Sequence, residues 1–264
     1  MKAAVVVANE DVQYQEVEEP KVTKGTVKIK VRYSGICGSD IPRVLNHGVH
    51  FYPIVLGHEF SGDVVEVGEG VTKVKVGDRV SGAPLLPCMK CDDCQQGNFS
   101  LCKHYSFIGS RQQGSNADYV VVPEQNAVPF DKTVPYEQGA MFEPATVAIH
   151  GVFQNDYHGG EYVAILGGGT VGMFTMQWTK IFGSKKLLYS ISVMNVLHLQ
   201  NVLVQMKSSI QKKKDIWKKP WLSQAEKDMV SYLRQPDRFR PCIWHLNWLQ
   251  TKLMYALSEH RMRI

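Results

Sequence analysis

Hydrophobic and polar residues alternate with a period of two in several short segments of the N-terminal half, which predicts half-buried β-strands. The clearest is Val27–Tyr33, and Val64–Val67 and Tyr119–Val122 follow the same pattern. The segments between them contain Gly, Pro, Asp and Asn at short intervals, as turns between strands do. We therefore expect a small β-barrel or sandwich in this part of the chain.

The pattern changes after residue 160. The short apolar run Tyr162–Leu166 enters the glycine-rich turn Gly167–Gly172, and helix-like spacing follows from Met173 to Phe182. A strand, a glycine turn and a helix in this order favour the first unit of a dinucleotide-binding α/β fold. The sequence thus predicts a β-rich domain over residues 1–150 and the start of a nucleotide-binding domain over residues 151–186.

Composition divides the 264-residue chain after Gly183. Residues 1–183 carry a net formal charge of −5 and residues 184–264 one of +10, and all 22 glycines lie in the first part. At the average usage of about 7%, the second part would contain about five or six glycines. The two parts therefore differ in origin or in selection.

The overall composition excludes some classes of protein. With 44% hydrophobic and 21% charged residues, the chain is neither disordered nor collagen-like. It contains no uncharged apolar run of about 18 residues, and acidic residues soon follow the apolar N-terminal segment, so no membrane span or signal peptide is expected. We predict a cytoplasmic protein.

Four cysteines form the most specific motif in the sequence. Cys88, Cys91, Cys94 and Cys102 are spaced C-x2-C-x2-C-x7-C, and four thiolates at such spacing can close a tetrahedral shell around a structural zinc ion. Disulfides and an iron–sulfur cluster remain alternatives, although disulfides are uncommon in a chain without a secretory signal.

A second metal site can be assembled from single residues. Cys37, His58 and Glu143 each lie where strand-like sequence gives way to a turn that contains Gly or Pro. Three mixed ligands with one open position are typical of catalytic zinc. Single residues of these types are also common in purely structural roles, so the residues alone leave both interpretations open.

Together these motifs resemble the zinc-dependent medium-chain dehydrogenase/reductase family. The segment Gly57-His58-Glu59-x2-Gly62-x5-Gly68-x2-Val71 matches the family signature without a gap, and the four-cysteine segment resembles the family's structural zinc loop. The resemblance covers residues 1 to about 186. Four further segments are similar to the polyol dehydrogenases of this family: Cys37–Arg43, Tyr52–Gly62, Pro84–Cys88 and Phe107–Arg111.

The resemblance implies an α/β protein in which a GroES-like catalytic domain is followed by a Rossmann domain. It implies that Cys37, His58 and Glu143 bind a catalytic zinc, with Glu59 as an alternative or exchanging ligand. Ser39 would lie beside the metal and could pass a proton outward. The implied cofactors are two Zn²⁺ ions, one catalytic and one structural, and NAD.

The implied reaction is the oxidation of a secondary hydroxyl of a sugar alcohol or its phosphate, with hydride transfer to NAD. Arg43 or Arg111 could meet a substrate phosphate, because a guanidinium group matches phosphate geometry; a surface ion pair is the alternative for both. His47 and His50 lie nearby and are expected to be solvated loop residues. Members of the family form homo-oligomers, in part through late segments of their chains.

The nucleotide-binding pattern is interrupted after the glycine turn. Gly167, Gly169 and Gly172 match the G-x-G-x-x-G fingerprint, which expects an acidic residue about 20 positions further on. Residues 190–193 contain no acid. The expected ribose ligand is therefore missing from this sequence.

Back-translation offers an explanation. Read one nucleotide earlier, Ser190–Gln200 can yield Asp-Ile-Ser-Asp-Glu-Arg-Val-Ala-Leu-Ala, and two later segments, Val230–Asp237 and Tyr255–Arg263, also yield family-like sequence. We hypothesise a single-base slip near Lys185 and Lys186. Residues 187–264 would then be a basic, out-of-frame and poorly folded tail, and this chain would transfer little or no hydride.

Two other classes of function compete with the dehydrogenase. Lys212–Lys214, with Trp217 and Trp221 nearby, has the basic and aromatic character of a nucleic-acid-binding or membrane-surface module. A shifted reading frame explains the same composition, so neither nucleic acid nor membrane is expected as a partner. The third class is a zinc-stabilised GroES-like domain without catalytic activity.

Overall fold

The computed structural model describes residues 1–154 and 157–190. The strands in these residues are β1 (Lys2–Ala8), β2 (Asp11–Glu16), β3 (Thr26–Gly35), β4 (Ile54–Val55), β5 (Glu59–Val67), β6 (Arg79–Gly82), β7 (Leu85–Leu86), β8 (Ser106–Phe107), β9 (Tyr119–Pro123), β10 (Ala127–Pro129), β11 (Tyr162–Leu166) and β12 (Lys186–Ser190). The α-helices are α1 (Asp40–Pro42), α2 (Asp92–Gln95), α3 (Tyr136–Ala140), α4 (Phe142–Phe153) and α5 (Thr170–Ile181). A π-helical turn, Arg43–His47, follows α1, and 3₁₀ turns lie at Phe99–Leu101 and Glu124–Asn126.

An antiparallel sheet in the order β10-β6-β5-β3-β9 forms the centre of the β-rich part. The three strands predicted from alternation are confirmed, since they lie within β3, β5 and β9. Ile29 on β3 pairs with Val64 on β5 and with Val120 on β9. Because directly paired residues share a face of the sheet, these three side chains meet in the interior.

The main core lies against this sheet. Its buried members come from β3, β5, β6, β9 and β10 and from the loops that cover them, and Phe60 is fully buried at their centre. Burying one such side chain stabilises the fold by about 1.5–3 kcal/mol. A second sheet, in the order β2-β1-β4, carries two smaller apolar clusters of its own.

Lys28 is an exception to the polar-outward pattern of β3. It is only 9% exposed, and its Nζ lies 2.9 Å from Glu19 Oε1 and 2.6 Å from Glu66 Oε2. Its hydrogen bonds to these carboxylates, that to Glu66 first, raise the pKa of Lys28. A buried ammonium group persists only when it is paired in this way.

The nucleotide-binding unit begins as predicted. β11 covers the predicted strand, and it pairs in parallel with β12. The helix α5 starts at Thr170, ahead of the predicted helix, because Gly169 already occupies the position that caps it. β12 continues to Ser190, past residue 186, at which the family resemblance ends.

Residue 150 falls inside α4, which runs from Phe142 to Phe153 without a break. α4 packs against α5, and Trp178 Nε1 donates a hydrogen bond to the carbonyl of Ala145 over 2.9 Å. The boundary placed near residue 150 is therefore bridged by a helix that contacts both parts.

Among the described helices, none has the length and apolar character needed to cross a bilayer.

Candidate metal centres and nucleotide turn

The four cysteines converge in a small lobe between the paired strands β7 and β8. The sulfur atoms of Cys88, Cys91, Cys94 and Cys102 all lie within 4.8 Å of one another. The Sγ atoms of Cys91 and Cys94 are 3.5 Å apart, and those of Cys88 and Cys94 are 3.9 Å apart. Zn–S bonds of ~2.3 Å in a tetrahedron place sulfur atoms about 3.8 Å apart. The lobe therefore has the dimensions of a four-thiolate zinc site.

Backbone N–H groups in the lobe favour the thiolate form of Cys88, whereas burial raises the pKa of Cys94 to about 12. The N–H groups of Lys90 and Cys91 donate to Cys88 Sγ over 3.5 and 3.4 Å, and the N–H of Cys88 donates to Cys102 Sγ over 3.3 Å. The bond from Lys90, followed by that from Cys91, lowers the pKa of Cys88 to about 6. All four thiols are free rather than joined in disulfides. Thiolates are the form that zinc binds.

A second group of donors lies at the ends of β3 and β5. Cys37 follows β3 by two residues, His58 immediately precedes β5, and Glu59 begins β5. Their ligand atoms lie within 4.8 Å of one another. The antiparallel pairing of Gly35 with Glu59 brings the two strand ends together. The pairing of β3 with β5 shifts register between Val31 and Tyr33, so that Gly35 rather than Ser34 stands opposite Glu59.

Two glycines make this convergence sterically possible. A Cβ on Gly35 would lie 2.5 Å from Glu59 Oε2, so the carboxylate folds over a position that has room only for hydrogen. Gly57, just before His58, has φ +96°, and a Cβ there would lie 2.4 Å from Asn116 Oδ1. Left-handed backbone and the lack of side-chain space both require glycine at position 57.

Glu143 lies near this group but outside its 4.8 Å limit, so the structure places Glu59, rather than Glu143, with Cys37 and His58. Burial, followed by the charges of Glu59 and Asp40, raises the pKa of Glu143 to about 7. Its position at the start of α4 thus brings a third carboxylate into the electrostatic field of the cluster.

Asp40 is the residue of this site that the sequence analysis did not assign. It is buried, its Oδ2 accepts a hydrogen bond from the Cys37 N–H over 3.3 Å, and its Oδ1 lies 3.7 Å from His58 Nδ1. Carboxylates beside ligating histidines commonly fix the ring's orientation. The one available signal was its place three residues after Cys37, but only the fold shows that it reaches His58.

The imidazole of His58 is enclosed on two sides. The ring of Phe107 meets it edge-to-face with centroids 5.5 Å apart, and within the described residues its buried Nδ1 has no hydrogen-bond partner. Burial lowers the pKa of His58 even though Asp40 opposes the shift. His58 is therefore held neutral, which is the form that binds metal ions.

The cluster as a whole fits a divalent cation. Burial raises the pKa of the Cys37 thiol to about 11 and also raises the pKa values of Asp40 and Glu59. The charge of Asp40 further raises the pKa of Glu59, so the acidic groups repel one another. A cation relieves both the desolvation and the repulsion, and thiolate, imidazole and carboxylate are the donors that zinc accepts.

Ser39 and Arg43 extend the cluster on one side. Ser39 Oγ donates to Cys37 Sγ over 3.2 Å, and Arg43 Nη1 donates to Ser39 Oγ over 3.2 Å and to Asp40 Oδ1 over 3.1 Å. His47 and His50 are both exposed, as predicted, although His47 ends the π-helical turn instead of lying in a loop.

The glycine turn between β11 and α5 is tightly packed. Gly167 has φ +118°, and a Cβ on Gly172 would lie 1.9 Å from the carbonyl oxygen of Gly167. Gly169 occupies the N-cap position of α5, directly before Thr170. Close backbone approach at a helix N-terminus is the geometry that accepts a pyrophosphate. The ribose-binding acid was expected at residues 190–193, of which Ser190 ends β12 and the others lie outside the described residues.

The β-rich fold, its two donor clusters and the glycine turn together define a GroES-like domain joined to the start of a Rossmann domain. The family profile named alcohol dehydrogenase GroES-like domain matches residues 23–132. Over this part the chain is similar to the zinc-dependent medium-chain dehydrogenase/reductase family.

Its relatives include polyol dehydrogenases. The galactitol 1-phosphate 5-dehydrogenase of Escherichia coli is 43% identical over 161 residues, which are 61% of this chain and 46% of that protein. The sorbitol dehydrogenase of Halalkalibacterium halodurans is 38% identical over 179 residues, 67% of this chain and 52% of that protein. The chain therefore spans about half the length of the curated relatives that it matches.

Solved structures show the same relationship. The crystal structure of Escherichia coli galactitol-1-phosphate dehydrogenase matches with a TM-score of 0.69 and 39% identity, covering 72% of this chain and 55% of that one. A putative zinc-binding dehydrogenase from Sinorhizobium meliloti, bound to NADP, matches with a TM-score of 0.69 and 34% identity, covering 71% and 55%.

Proposed function

We propose that the chain carries the metal centre of a zinc-dependent dehydrogenase that oxidises a secondary hydroxyl of a sugar alcohol or its phosphate with NAD. The observation that carries this proposal is the group of half-buried Cys37 with buried His58 and Glu59, whose ligand atoms lie within 4.8 Å of one another. Mixed donors of this kind are typical of catalytic zinc, whereas the four-cysteine lobe forms a closed, structural shell. Two centres in one chain favour the dehydrogenase over a GroES-like module with structural zinc alone.

Zinc, when bound, supplies a Lewis acid that lowers the pKa of the substrate hydroxyl, and NAD supplies the hydride acceptor. Cys37, His58 and Glu143 would hold the metal, with Glu59, which lies closer to Cys37 and His58, as an alternative or exchanging ligand. The Asp40 carboxylate, 3.7 Å from His58 Nδ1, would favour the orientation of the ring electrostatically. These residues thus fix the place at which the substrate hydroxyl loses its proton.

Ser39 Oγ would accept that proton and release its own hydroxyl proton to solvent water, while the hydrogen bond from Arg43 holds the oxygen in place. The second half of the site is the glycine turn. Its backbone and the N-terminus of α5 accept the pyrophosphate of the nucleotide. NAD is favoured over NADP because the shifted reading frame supplies an acid where the ribose would lie.

The preferred substrate class follows from the relatives, whose names include galactitol 1-phosphate, sorbitol and D-arabitol-phosphate dehydrogenases. Residues 191–264, including the basic Lys212–Lys214 and the aromatic Trp217 and Trp221, lie outside the described residues. Because this segment lacks the ribose acid, we expect weak hydride transfer by the chain as it stands. A cytoplasmic location and assembly into homo-oligomers stay predictions from the family resemblance.

The test compares the 264-residue chain with a chain whose codons after Lys185 are read one nucleotide earlier. We expect polyol-dependent NADH formation by the shifted chain and much less by the original one. Resequencing the gene across codons 180–200 comes first, since the absence of a downstream reading frame would refute the base slip. Equal rates for the two chains would refute the expected impairment.

Matched histidine variants test the metal centre. His58→Asn in the shifted chain should abolish NADH formation and remove one zinc ion per chain, as measured by mass spectrometry. His47→Asn, at an exposed position, should leave both unchanged. The dehydrogenase assignment fails if His58→Asn keeps full activity, or if no polyol or polyol phosphate supports NADH formation by the shifted chain.

A further inference from the structure

A cavity of about 410 Å³ opens beside the candidate catalytic cluster. This volume lies in the range of small-molecule sites, about 300–1,000 Å³. None of the eight residues that line the cavity is acidic, and two of them are arginines, Arg43 and Arg111. His50, Tyr105, Phe107 and Ser110 also face it. The cavity is therefore a cationic compartment with polar donors on its wall.

The cavity shares two walls with the metal cluster. Arg43 donates hydrogen bonds to Ser39 and to Asp40. Ser39 contacts Cys37, and Asp40 lies beside His58. Phe107 packs its ring against that of His58. A small molecule with one end at the donor cluster would therefore reach the arginines with its other end.

The two arginines are held in different ways. The hydrogen bonds of Arg43 to Ser39 and Asp40 both use Nη1. Because the side chain is 29% exposed, its guanidinium group is anchored through Nη1 and still accessible to a ligand. The Arg111 guanidinium lies over the ring of Tyr105, 4.7 Å from its centroid. Among the ion pairs of the described residues, none involves Arg111. Its charge thus lacks a carboxylate partner within that part of the chain.

We propose that this cavity is a phosphate subsite, in which Arg43 and Arg111 bind the phosphate of a polyol phosphate whose reacting hydroxyl lies at the metal cluster. The proposal rests on the proposed function and narrows its substrate class from polyols in general to phosphorylated ones. Planar guanidinium groups bind phosphate through paired charge-assisted hydrogen bonds, and the ring of Tyr105 holds one of them in place.

Calorimetric titration of the full chain, loaded with zinc, tests the proposal without relying on turnover. Galactitol 1-phosphate, galactitol and inorganic phosphate are compared as ligands. We expect galactitol 1-phosphate to bind at least about tenfold more tightly than galactitol, which corresponds to ~1.4 kcal/mol at 25 °C. It should also bind more tightly than inorganic phosphate, because the polyol contributes contacts at the cluster.

Arg111 is the informative residue to change, since Arg43 also holds Ser39 and Asp40. Arg111→Gln should weaken binding of galactitol 1-phosphate about tenfold or more and leave binding of galactitol unchanged. Arg111→Lys keeps the charge but loses the planar fork, so it should restore only part of the affinity. Lys103→Gln is the control, because it removes one exposed positive charge nearby that does not line the cavity.

Equal affinities for galactitol and galactitol 1-phosphate would overturn the subsite, as would equal losses in Arg111→Gln and Lys103→Gln. Inorganic phosphate that binds as tightly as galactitol 1-phosphate would also overturn it, since the anion would then bind without the polyol. These results are separable from the proposed function. Arg111-dependent binding without NADH formation by the shifted chain would leave the subsite intact and refute the dehydrogenase.

Discussion

The packing of Gly82 against Phe60 gives a quantitative test of the core that supports the metal cluster. Gly82 ends β6, and a Cβ at this position would lie 2.1 Å from Cζ and 2.2 Å from Cε1 of the Phe60 ring. Carbon atoms normally approach no closer than about 3.5 Å, and the ring is fully buried, so it has no free space into which to move. Gly82→Ala should therefore destabilise the domain by about 1–3 kcal/mol.

The double variant isolates the cause. Phe60→Leu removes Cε1, Cε2 and Cζ, and at ~0.8 kcal/mol for each of the three carbon groups it should cost about 2.4 kcal/mol by itself. In that background Gly82→Ala loses its two closest contacts, and the third, 2.8 Å from Cδ1, is relieved when the leucine side chain turns into the space left by the ring. Its cost should fall close to zero, which gives a coupling energy of about 1–3 kcal/mol between the two positions.

Gly68→Ala serves as the control for this cycle. A Cβ on Gly68 would lie 1.9 Å from the backbone carbonyl oxygen of Thr23, a contact that does not involve Phe60. Its cost should be the same with Phe60 or Leu at position 60. Rescue of Gly68→Ala by Phe60→Leu would show a general loosening of the domain rather than relief of one contact.

Hydrogen exchange is the suitable assay, because none of the five tryptophans lies in residues 1–154 and fluorescence would not report on this domain. Protection of the amides of β3 and β5, read from peptides that cover Thr26–Gly35 and Glu59–Val67, gives the opening free energy of each variant. An equal cost of Gly82→Ala in both backgrounds would refute the reasoning.

Three further predictions concern the metal centres and the sheet. Cys91→Ser should remove the zinc of the four-cysteine lobe and leave that of the second cluster, as counted by mass spectrometry; loss of both ions would refute their independence. Deletion of Arg32, the unpaired residue where the pairing of β3 with β5 shifts register, leaves Gly35 opposite Glu59, so this variant and Arg32→Ala should both keep two zinc ions. Loss of the ion near Glu59 in the deletion variant alone would contradict this reading of the register. Tyr136→Phe removes a hydrogen bond of 2.5 Å to Asp63 and should destabilise the domain by about 1–2 kcal/mol at neutral pH. Burial raises the pKa of Asp63, but the hydrogen bonds from Tyr136 and then Arg32 outweigh it, so the pKa is lowered overall. The difference in unfolding free energy between Tyr136→Phe and the parent should therefore disappear as the pH falls below about 3.9 and through the lowered pKa, as measured by urea titration. An undiminished difference at lower pH would contradict the role of Asp63.

Local pattern was enough to predict the strands and the beginning of the nucleotide-binding unit. Alternation over Val27–Tyr33 reflects one face of β3 against the core, and the run Tyr162–Leu166 followed by glycines corresponds to β11 and its turn. Spacing was also sufficient for the four-cysteine lobe, because its donors lie within 15 residues of one another. Such features depend on neighbours along the chain, which a sequence displays directly.

The second cluster could not be predicted in the same way. Cys37 and His58 are 21 positions apart, and they meet only because β3 and β5 pair with a particular register. Family resemblance supplied Glu143 as the third ligand, whereas the structure brings Glu59 closest and adds Asp40. Which carboxylate reaches the metal depends on side-chain directions that only the packed strands determine.

The register of β3 and β5 connects the sheet to the proposed chemistry. Val31 pairs with Gly62, and without the shift after Val31 the same register would place Ser34 opposite Glu59. Neighbouring residues of a strand point to opposite faces of the sheet. A slip of β3 by one position would therefore turn the other face of that strand toward the Glu59 carboxylate. The shift instead places Gly35 there, the residue whose missing Cβ leaves room for Glu59 Oε2. With Arg32 left unpaired, a single irregularity in the sheet thus determines which residue of β3 stands opposite a proposed zinc ligand.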